Sequence, residues 1–143
     1  MTLVLSMDVG VATHIGRIRE VNEDAYYAGE RLFAVADGMG GHAAGAIASR
    51  TALDVLAGAD RSELTQDALR AQVRAANAAV VDYGRTHRSA AGLGTTIAGI
   101  ALIDSGRAPH WAVFSIGDSR VYLHSDGTLR QLTVDRSEVE ELI

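Results

Sequence analysis

Three aspartates stand at or near the ends of predicted strands, and carboxylates so placed can do chemistry. Asp37 closes the run "LFAVAD" and precedes the glycine-rich stretch "GMGG". Asp118 follows "VFSIG", and Asp24 closes the segment "GRIREVNED". Carboxylates gathered with a backbone carbonyl suit hard divalent cations such as Mg²⁺ or Mn²⁺. Such a cluster repels itself without a cation, so the three positions together predict a metal site rather than a bare acid pair.

The Asp37-Gly38 pair has two interpretations. Asp-Gly favours tight hairpins, and Asp126-Gly127, between two short alternating stretches, is explained in that way. Asp37-Gly38 instead joins a strand-like run to a helical pattern, a connection that a two-residue hairpin does not make. From this stretch alone, a ligand or metal site and a plain strand-to-helix loop both stay open.

Arg19 lies inside "GRIREVNED", close in sequence to Asp24. Taken alone, it would be a solvated surface charge. Beside a metal cluster it becomes a candidate for holding a phosphate, because the planar guanidinium matches phosphate oxygens in a bidentate manner.

The composition restricts the possible classes of protein. The chain has 143 residues, 48% of them hydrophobic and 22% charged, which fits one globular domain. A net charge of −5 argues against nucleic acid or an anionic membrane as partner. The absence of cysteine excludes disulfides, thiolate nucleophiles and cysteine-type zinc sites. No secretory signal opens the sequence, and its longest apolar stretch, "IAGIALI", is too short to span a bilayer, so we expect a cytoplasmic chain without a membrane segment.

The hydrophobic pattern predicts strands, then two helices, then strands. We predict a first strand in "LVLSMDVGVAT" and a hairpin in "DAYYAGERLFAVAD" that turns near Gly29-Glu30. Later strands are expected in "GTTIAGIALI", "HWAVFSIGDS", "RVYLHS" and "TLRQLT", and "DRSEVEELI" begins a further helix. Ser62 is the expected N-cap of the second helix. The positions at helical spacing are Ile47, Thr51 and Val55 beside Ala48, Ala52 and Leu56 in the first helix, and Leu69, Val73, Ala76, Val80 and Tyr83 in the second.

This order of elements predicts the fold class. It is not the regular alternation of a parallel α/β sheet, so we expect α+β, with antiparallel sheets and helices packed on a face. Two sheets stacked face to face would explain why several strands are almost entirely apolar.

Four segments, "GRIREVNEDAYYA", "LFAVADGMGGHAAG", "GLGTT" and "FSIGDSRVYLHSDGTLRQLTVD", resemble the metal-dependent protein phosphatases in order and spacing. This is the type-2C serine/threonine family, and the chain looks most like its bacterial branch. The resemblance implies an αββα sandwich of two stacked antiparallel β-sheets flanked by helices, with residues 1–143 the N-terminal part of one phosphatase domain. It implies hydrolysis of phosphoserine and phosphothreonine in proteins by a metal-activated water, with Mn²⁺ or Mg²⁺ as cofactor. The implied partners are phosphorylated proteins, targets of serine/threonine kinases.

The resemblance also implies roles for individual residues. Asp37 matches the aspartate that bridges two metal ions, and the Gly38 carbonyl matches a ligand of one of them. Asp24 matches an acid that reaches the metals through bound water. Arg19 matches the arginine that holds the substrate phosphate, and Asp118 matches an acid linked to a third, weaker metal.

Other positions match the family with structural roles or depart from it. The "GTT" segment, Gly94 to Thr96, matches a strand beneath the site and is expected to be structural. Animal and plant members often carry a histidine, proposed as general acid, directly after Asp-Gly, where this chain has Met39, as bacterial members do. His42 is displaced from that position, and we expect it to make a structural hydrogen bond.

The matching segments cover only the N-terminal half of the family pattern. Members continue well beyond the point that matches Ile143, and the remainder carries two further metal aspartates in "SDG" and "DN" contexts. The "SDG" at 125–127 cannot replace them, because it lies in the hairpin after Asp118. We therefore expect a truncated chain, inactive and poorly folded alone, whose exposed sheet edges would allow self-association. Two alternatives stay open: a non-catalytic phosphoprotein-binding or regulatory fragment, and a phosphatase for phosphoserine in an anti-sigma-antagonist type of switch.

Overall fold

A computed structural model describes residues 5–90, 92–104, 106 and 108–135 of the chain. Short 3₁₀ turns at Ala57–Ala59 and Arg88–Ala90 follow the two helices. The strands and α-helices are, in order, β1 (Asp24–Ala28), β2 (Leu32–Met39), α1 (Ala44–Leu56), α2 (Gln66–Thr86), β3 (Gly94–Thr95), β4 (Ile97–Asp104), β5 (Pro109–Ile116), β6 (Tyr122–Ser125) and β7 (Thr128–Gln131). This order confirms the α+β class.

One antiparallel sheet dominates the fold. Its strands lie in the order β1, β2, β4, β5, and the two-residue β3 extends it by pairing with the end of β2. β6 and β7 form a separate two-stranded hairpin. Within the described residues this hairpin is the only further sheet, so the two full sheets of the predicted sandwich are present in part.

The hydrophobic core lies between the sheet and the two helices. Along β2, Leu32, Ala34 and Ala36 are buried in this core, while the alternating residues Val35 and Asp37 are exposed. This alternation is the period of two expected of a strand with one covered face. β4 lies between β2 and β5 at the centre of the sheet and is buried along most of its length on both faces.

The predicted face of α1 consisted of Ile47, Thr51 and Val55 with Ala48, Ala52 and Leu56 beside them. The buried face is centred on the second set, one residue further along the helix. Ala48, Ala52 and Leu56 have no exposed surface, whereas Ile47 is 38% exposed. Alanines on the inner face allow the helix to approach the sheet closely, and the larger Ile47 is left at the rim.

Helix α2 confirms the predicted spacing but begins later than expected. Its buried side chains are Leu69, Val73, Ala76 and Val80. The N-cap is Thr65, whose hydroxyl accepts the Ala68 N–H at 3.1 Å, while Ser62 lies in the preceding turn. The prediction of Ser62 was wrong because buried Leu64 and Leu69 flank the true cap, as in a hydrophobic staple, and set where the helix can start.

The turn of the β6–β7 hairpin is the one predicted from Asp126-Gly127. The two residues have φ of 51° and 77°, the positive values that a two-residue type I′ turn requires. Asp-Gly suits this turn because both residue types tolerate the left-handed region.

The β1–β2 turn is fixed to the rest of the fold by Asp60. Its carboxylate accepts the Arg31 N–H at 2.8 Å, the Glu30 N–H at 3.0 Å and the Tyr27 hydroxyl at 2.6 Å. Burial alone would raise the pKa of Asp60, but these hydrogen bonds outweigh it and hold the pKa below its usual value. The bond to Asp60 is the main cause that raises the pKa of Tyr27 to about 12. Asp60 thereby holds the β1–β2 hairpin at the end opposite Asp24 and Asp37.

Two further predictions have different outcomes. The first strand, expected at residues 3–13, is wrong for residues 5–13, which form no strand. Residues 7–12 instead line a cavity over the outer face of the sheet, so their apolar side chains are used without ladder pairing. In "DRSEVEELI", residues 136–143 lie outside the described residues. Of the helices that the structure describes, none combines the length and apolarity needed to cross a bilayer.

Candidate metal and phosphate site

The candidate site is built on the open end of the β1–β2 hairpin. The register pairs Asp24 directly with Asp37, so two carboxylates share one end of the hairpin. Both residues are exposed and lie on the outer sheet face, since Ala36 next to Asp37 is buried on the helix side. Like charges directly opposite each other on neighbouring strands are unfavourable.

This crowding shifts the titration of Asp37. Partial loss of hydration raises the pKa of Asp37 most, followed by the charge of Asp24, a hydrogen bond with that carboxyl and the charge of Asp118. The Arg19 guanidinium opposes the shift. A bound cation would favour the charged form in the same way as Arg19 does, but more strongly.

Arg19 and the hairpin carboxylates line one cavity of about 220 Å³. Asp24, Asp37 and Gly38 line it together with the loop that precedes β1, which contributes Arg19 and Asn22. A cavity lined by a guanidinium and by several acidic residues can accept an oxyanion and a cation side by side.

Asp118 lies at the margin of this group. Its charge acts on Asp37, yet its side chain lines neither this cavity nor the adjoining one of about 360 Å³, which Ser119 helps to line. No three His, Asp or Glu side chains among the described residues lie close enough together to hold a cation by themselves. The structure therefore brings Arg19, Asp24, Asp37 and Gly38 together and leaves Asp118 beside them.

Gly38 is required by a close approach between β2 and α1. A side chain at Gly38 would overlap the carbonyl oxygen of Gly45 in the first turn of the helix. A Cβ at Gly45 would in turn lie 2.8 Å from the Gly38 carbonyl carbon. Both glycines are therefore needed for the helix to start directly against the end of the strand.

Glu23 and Ser49 hold this junction, and sequence reasoning did not single them out. The Glu23 carbonyl accepts the Gly38 N–H at 3.1 Å and the Ser49 hydroxyl at 2.7 Å. The Glu23 carboxylate accepts the Gly45 N–H at 3.2 Å, and a negative charge is favourable at a helix N-terminus. Ser49 is fully buried, so a serine on the apolar face of a helix was the available signal.

Met39, at the position where some members of the family have a histidine after Asp-Gly, is followed by a loop that contains His42. Met39 ends the strand and is 63% exposed. His42 and Ala43 have φ of 55° and 63°, the left-handed region that non-glycine residues rarely adopt. His42 is exposed and forms no hydrogen bond with another described residue, so the structural hydrogen bond expected for it is not found.

A larger cavity of about 590 Å³ lies over the outer face of the sheet. It is lined mostly by apolar side chains, among them Phe33, Val35 and Trp111, and by none of the five predicted site residues. Although it is larger, this cavity lacks the residues predicted to bind a metal ion and a phosphate, so we do not assign the candidate site to it.

Comparison with known proteins decides the family. The family model described as Protein phosphatase 2C matches residues 13–141. The chain belongs to the protein phosphatase 2C family. A crystal structure of the serine/threonine phosphatase PstP from Mycobacterium tuberculosis superimposes with a TM-score of 0.77 at 42% identity, covering 85% of this chain and 52% of that one. Another crystal structure, of the PstP catalytic domain with two manganese ions, gives the same TM-score and identity.

Relatives in the protein phosphatase 2C family are longer than this chain. PstP of Mycobacterium tuberculosis is 42% identical over 131 residues, which are 90% of this chain and 25% of PstP. The serine/threonine phosphatase stp of Listeria monocytogenes is 36% identical over 143 residues, covering 92% of this chain and 55% of the relative. The chain thus spans between a quarter and just over half of the length of these relatives.

Proposed function

We propose that the chain contributes to the metal-dependent hydrolysis of phosphoserine and phosphothreonine in proteins. The observation that carries the proposal is the direct pairing of Asp24 with Asp37 beside Arg19 in one cavity. This arrangement offers ligands for hard cations and a fork for a phosphate within one small space. Membership of the protein phosphatase 2C family supports the same reaction.

In this proposal Asp37, Asp24 and the Gly38 carbonyl hold Mn²⁺ or Mg²⁺, and Asp118 serves a third, weaker position. The residues fit such ions, because the neighbouring carboxylates that raise the pKa of Asp37 would be relieved by a cation. When bound, a pair of divalent cations supplies an activated water and neutralises charge on the phosphoryl oxygens.

Arg19 binds and orients the phosphate of the substrate. Arg19 is exposed and lines the cavity, so a phosphorylated side chain on another protein can reach it. The carboxylates that line the same cavity disfavour approach of the phosphate when no cation is bound, because their charges have the same sign. Substrate binding is therefore expected to depend on the metal.

A specific observation favours a second candidate, a phosphoprotein-binding or regulatory role without turnover. Within the described residues two carboxylates lie together, but not the three side chains that would hold a cation alone. Relatives are longer and can supply further ligands from the part that this chain does not match. Arg19 could then bind a phosphate without its hydrolysis.

Hydrolysis of p-nitrophenyl phosphate by the purified chain, with and without Mn²⁺, distinguishes the two candidates. If the chain assembles the proposed centre, turnover requires Mn²⁺ and Asp37→Asn lowers it by more than about 100-fold, since even changes next to metal ligands weaken activity by about 10- to 100-fold. Absence of turnover, with retained binding of a phosphopeptide that Arg19→Ala abolishes, would favour the binding role. Turnover that does not respond to Asp37→Asn would exclude the proposed centre.

A further inference from the structure

We propose that Thr96 is a positioning residue that ties Asp37 to the loop carrying Asp118. The proposal rests on the metal centre proposed above. Thr96 lies in the one-residue gap between β3 and β4 and lines neither of the two cavities that Asp24 and Asp37 line. It acts through the backbone of Asp37 and through the residues on either side of Asp118.

Thr96 stands opposite Asp37 in the sheet. The pairs Gly38 with Thr95 and Val35 with Ala98 continue the same register on both sides of this position. The Thr96 N–H donates to the Asp37 carbonyl at 2.9 Å, as in an ordinary ladder.

The return hydrogen bond is made by a side chain. The Asp37 N–H donates to Thr96 Oγ1 at 3.1 Å, and the Thr96 carbonyl instead accepts the Thr95 hydroxyl at 2.9 Å. A side-chain hydroxyl therefore takes the place of a backbone carbonyl, which interrupts the ladder at the residue that precedes Gly38. The backbone of Asp37 is held on both its N–H and its carbonyl by Thr96.

The same side chain holds the Asp118 loop. The Thr96 and Ser119 hydroxyls are hydrogen-bonded to each other. On the other side of Asp118, a Cβ built on Gly117 would lie 2.8 Å from Thr96 Cγ2, and Gly117 has a φ of +92°. Both neighbours of Asp118 thus rest on Thr96, one on its hydroxyl and one on its methyl group.

The hydroxyl protons have a preferred direction. Thr96 Oγ1 accepts the Asp37 N–H, so we assign the hydroxyl proton of Thr96 to its contact with Ser119 Oγ. This arrangement leaves the Ser119 proton available to the cavity that Ser119 lines together with Asp24 and Asp37. The opposite arrangement would leave the half-buried Thr96 donor unused, which is unfavourable.

Threonine supplies both a hydroxyl for Asp37 and Ser119 and a methyl group against Gly117. Replacing one of these groups at a time gives a matched pair of variants. Thr96→Val keeps the shape but removes the acceptor for the Asp37 N–H, whereas Thr96→Ser keeps the hydroxyl and removes the methyl group. The metal-free test is amide hydrogen exchange of the whole chain by NMR. In Thr96→Val we expect exchange at Asp37 to rise about fivefold, the fold-change that corresponds to one neutral hydrogen bond.

Thr96→Ser should change exchange at Asp37 by less than about twofold. In both variants the other ladder amides of β2 and β4 should stay at wild-type rates, since only global destabilisation would raise them together. An unchanged rate at Asp37 in Thr96→Val, or an equal rise along the whole sheet, would overturn the assignment.

Calorimetric Mn²⁺ binding tests the consequence for the site. Thr96→Val is expected to raise the Kd for Mn²⁺ about 10- to 100-fold, as for other residues that orient metal ligands, while Thr96→Ser stays close to wild type. Equal affinity of Thr96→Val and wild type would refute a positioning role. If the wild-type chain binds no Mn²⁺, the proposed metal centre fails for this chain, and the exchange measurement still decides whether Thr96 holds Asp37.

Discussion

At the scale of single residues, the environment of Asp37 lowers the stability of the folded protein when its carboxyl is ionised. It faces Asp24 across the hairpin, and its pKa is raised by partial burial and by that neighbouring charge. A carboxyl whose folded pKa is raised destabilises the folded state above that pKa, and the penalty disappears as the pH falls below the ordinary value of about 4. Such local conflicts are expected where a protein binds a ligand of opposite charge.

Asp37→Asn should therefore stabilise the metal-free protein. We expect the free energy of unfolding at pH 7 to rise by about 0.5 kcal/mol, the size of a cross-strand charge pair near the surface. The gain should shrink as the pH is lowered toward about 4, because the wild-type carboxyl then becomes neutral. Urea unfolding between these pH values measures both effects.

Asp8→Asn is the control, because it removes the same charge from an exposed segment without regular structure. If both variants gain equally, lower net charge explains the result and the Asp24–Asp37 repulsion does not. Added Mn²⁺ should stabilise the wild type and leave Asp37→Asn unchanged, since a ligand stabilises the state that binds it.

At the scale of elements, the site depends on how closely α1 begins against the end of β2. The Gly38–Gly45 contact and the two hydrogen bonds to the Glu23 carbonyl hold strand, loop and helix at one point. Helix propensity alone would favour alanine over glycine at Gly45 by about 1 kcal/mol. The close contact with Gly38 and Glu23 instead predicts that alanine at position 45 lowers the stability of the protein.

Gly45→Ala should destabilise the protein by about 1–3 kcal/mol, the usual effect of overpacking. The added Cβ would lie 2.6 Å from Glu23 Oε1 and 2.8 Å from the backbone of Gly38, and backbone cannot move aside cheaply. Chemical denaturation of the purified variant measures the change. Gly41→Ala, which has nothing within 4 Å of a built Cβ, is the matched control and should be near neutral. A stabilised Gly45→Ala variant would contradict the proposed close contact.

At the scale of the whole molecule, the sheet is apolar on both faces, but among the described residues only one face carries helices. On the outer face, Tyr26 and Val35 are 45% and 48% exposed at the cavity of about 590 Å³. Within the described residues, β1 and β5 lie at the two ends of the strand order. Exposed apolar faces and unpaired edges favour association with another chain.

We expect the isolated chain to self-associate as its concentration rises, and Val35→Ser to weaken that association by removing apolar surface from the outer face. Sedimentation velocity over a range of concentrations measures the effect. Val81→Ser on α2, where valine is 41% exposed, is the matched control and should associate like wild type. A chain that is monomeric at every concentration and melts cooperatively would contradict this expectation. It would show that the described fold is stable without association.

Local signals accounted for much of this protein. Asp126-Gly127 predicted its hairpin, and the spacing of apolar residues predicted both helices, because turn chemistry and helical periodicity act over a few residues. Four ordered motifs, two of which carry Arg19, Asp24 and Asp37, predicted the family. The order of strands and helices predicted an α+β fold.

The tertiary structure decided which of these residues meet and what holds them. The opposition of Asp24 to Asp37 depends on strand register, and the fixation of Asp37 by Thr96 depends on a ladder interrupted at one position. Burial of Ser49 against the Glu23 carbonyl joins residues 26 positions apart, and no local pattern reports such a contact. Side chains distant in sequence are brought together only when the whole chain packs, so their pairing is a property of the fold rather than of any one segment.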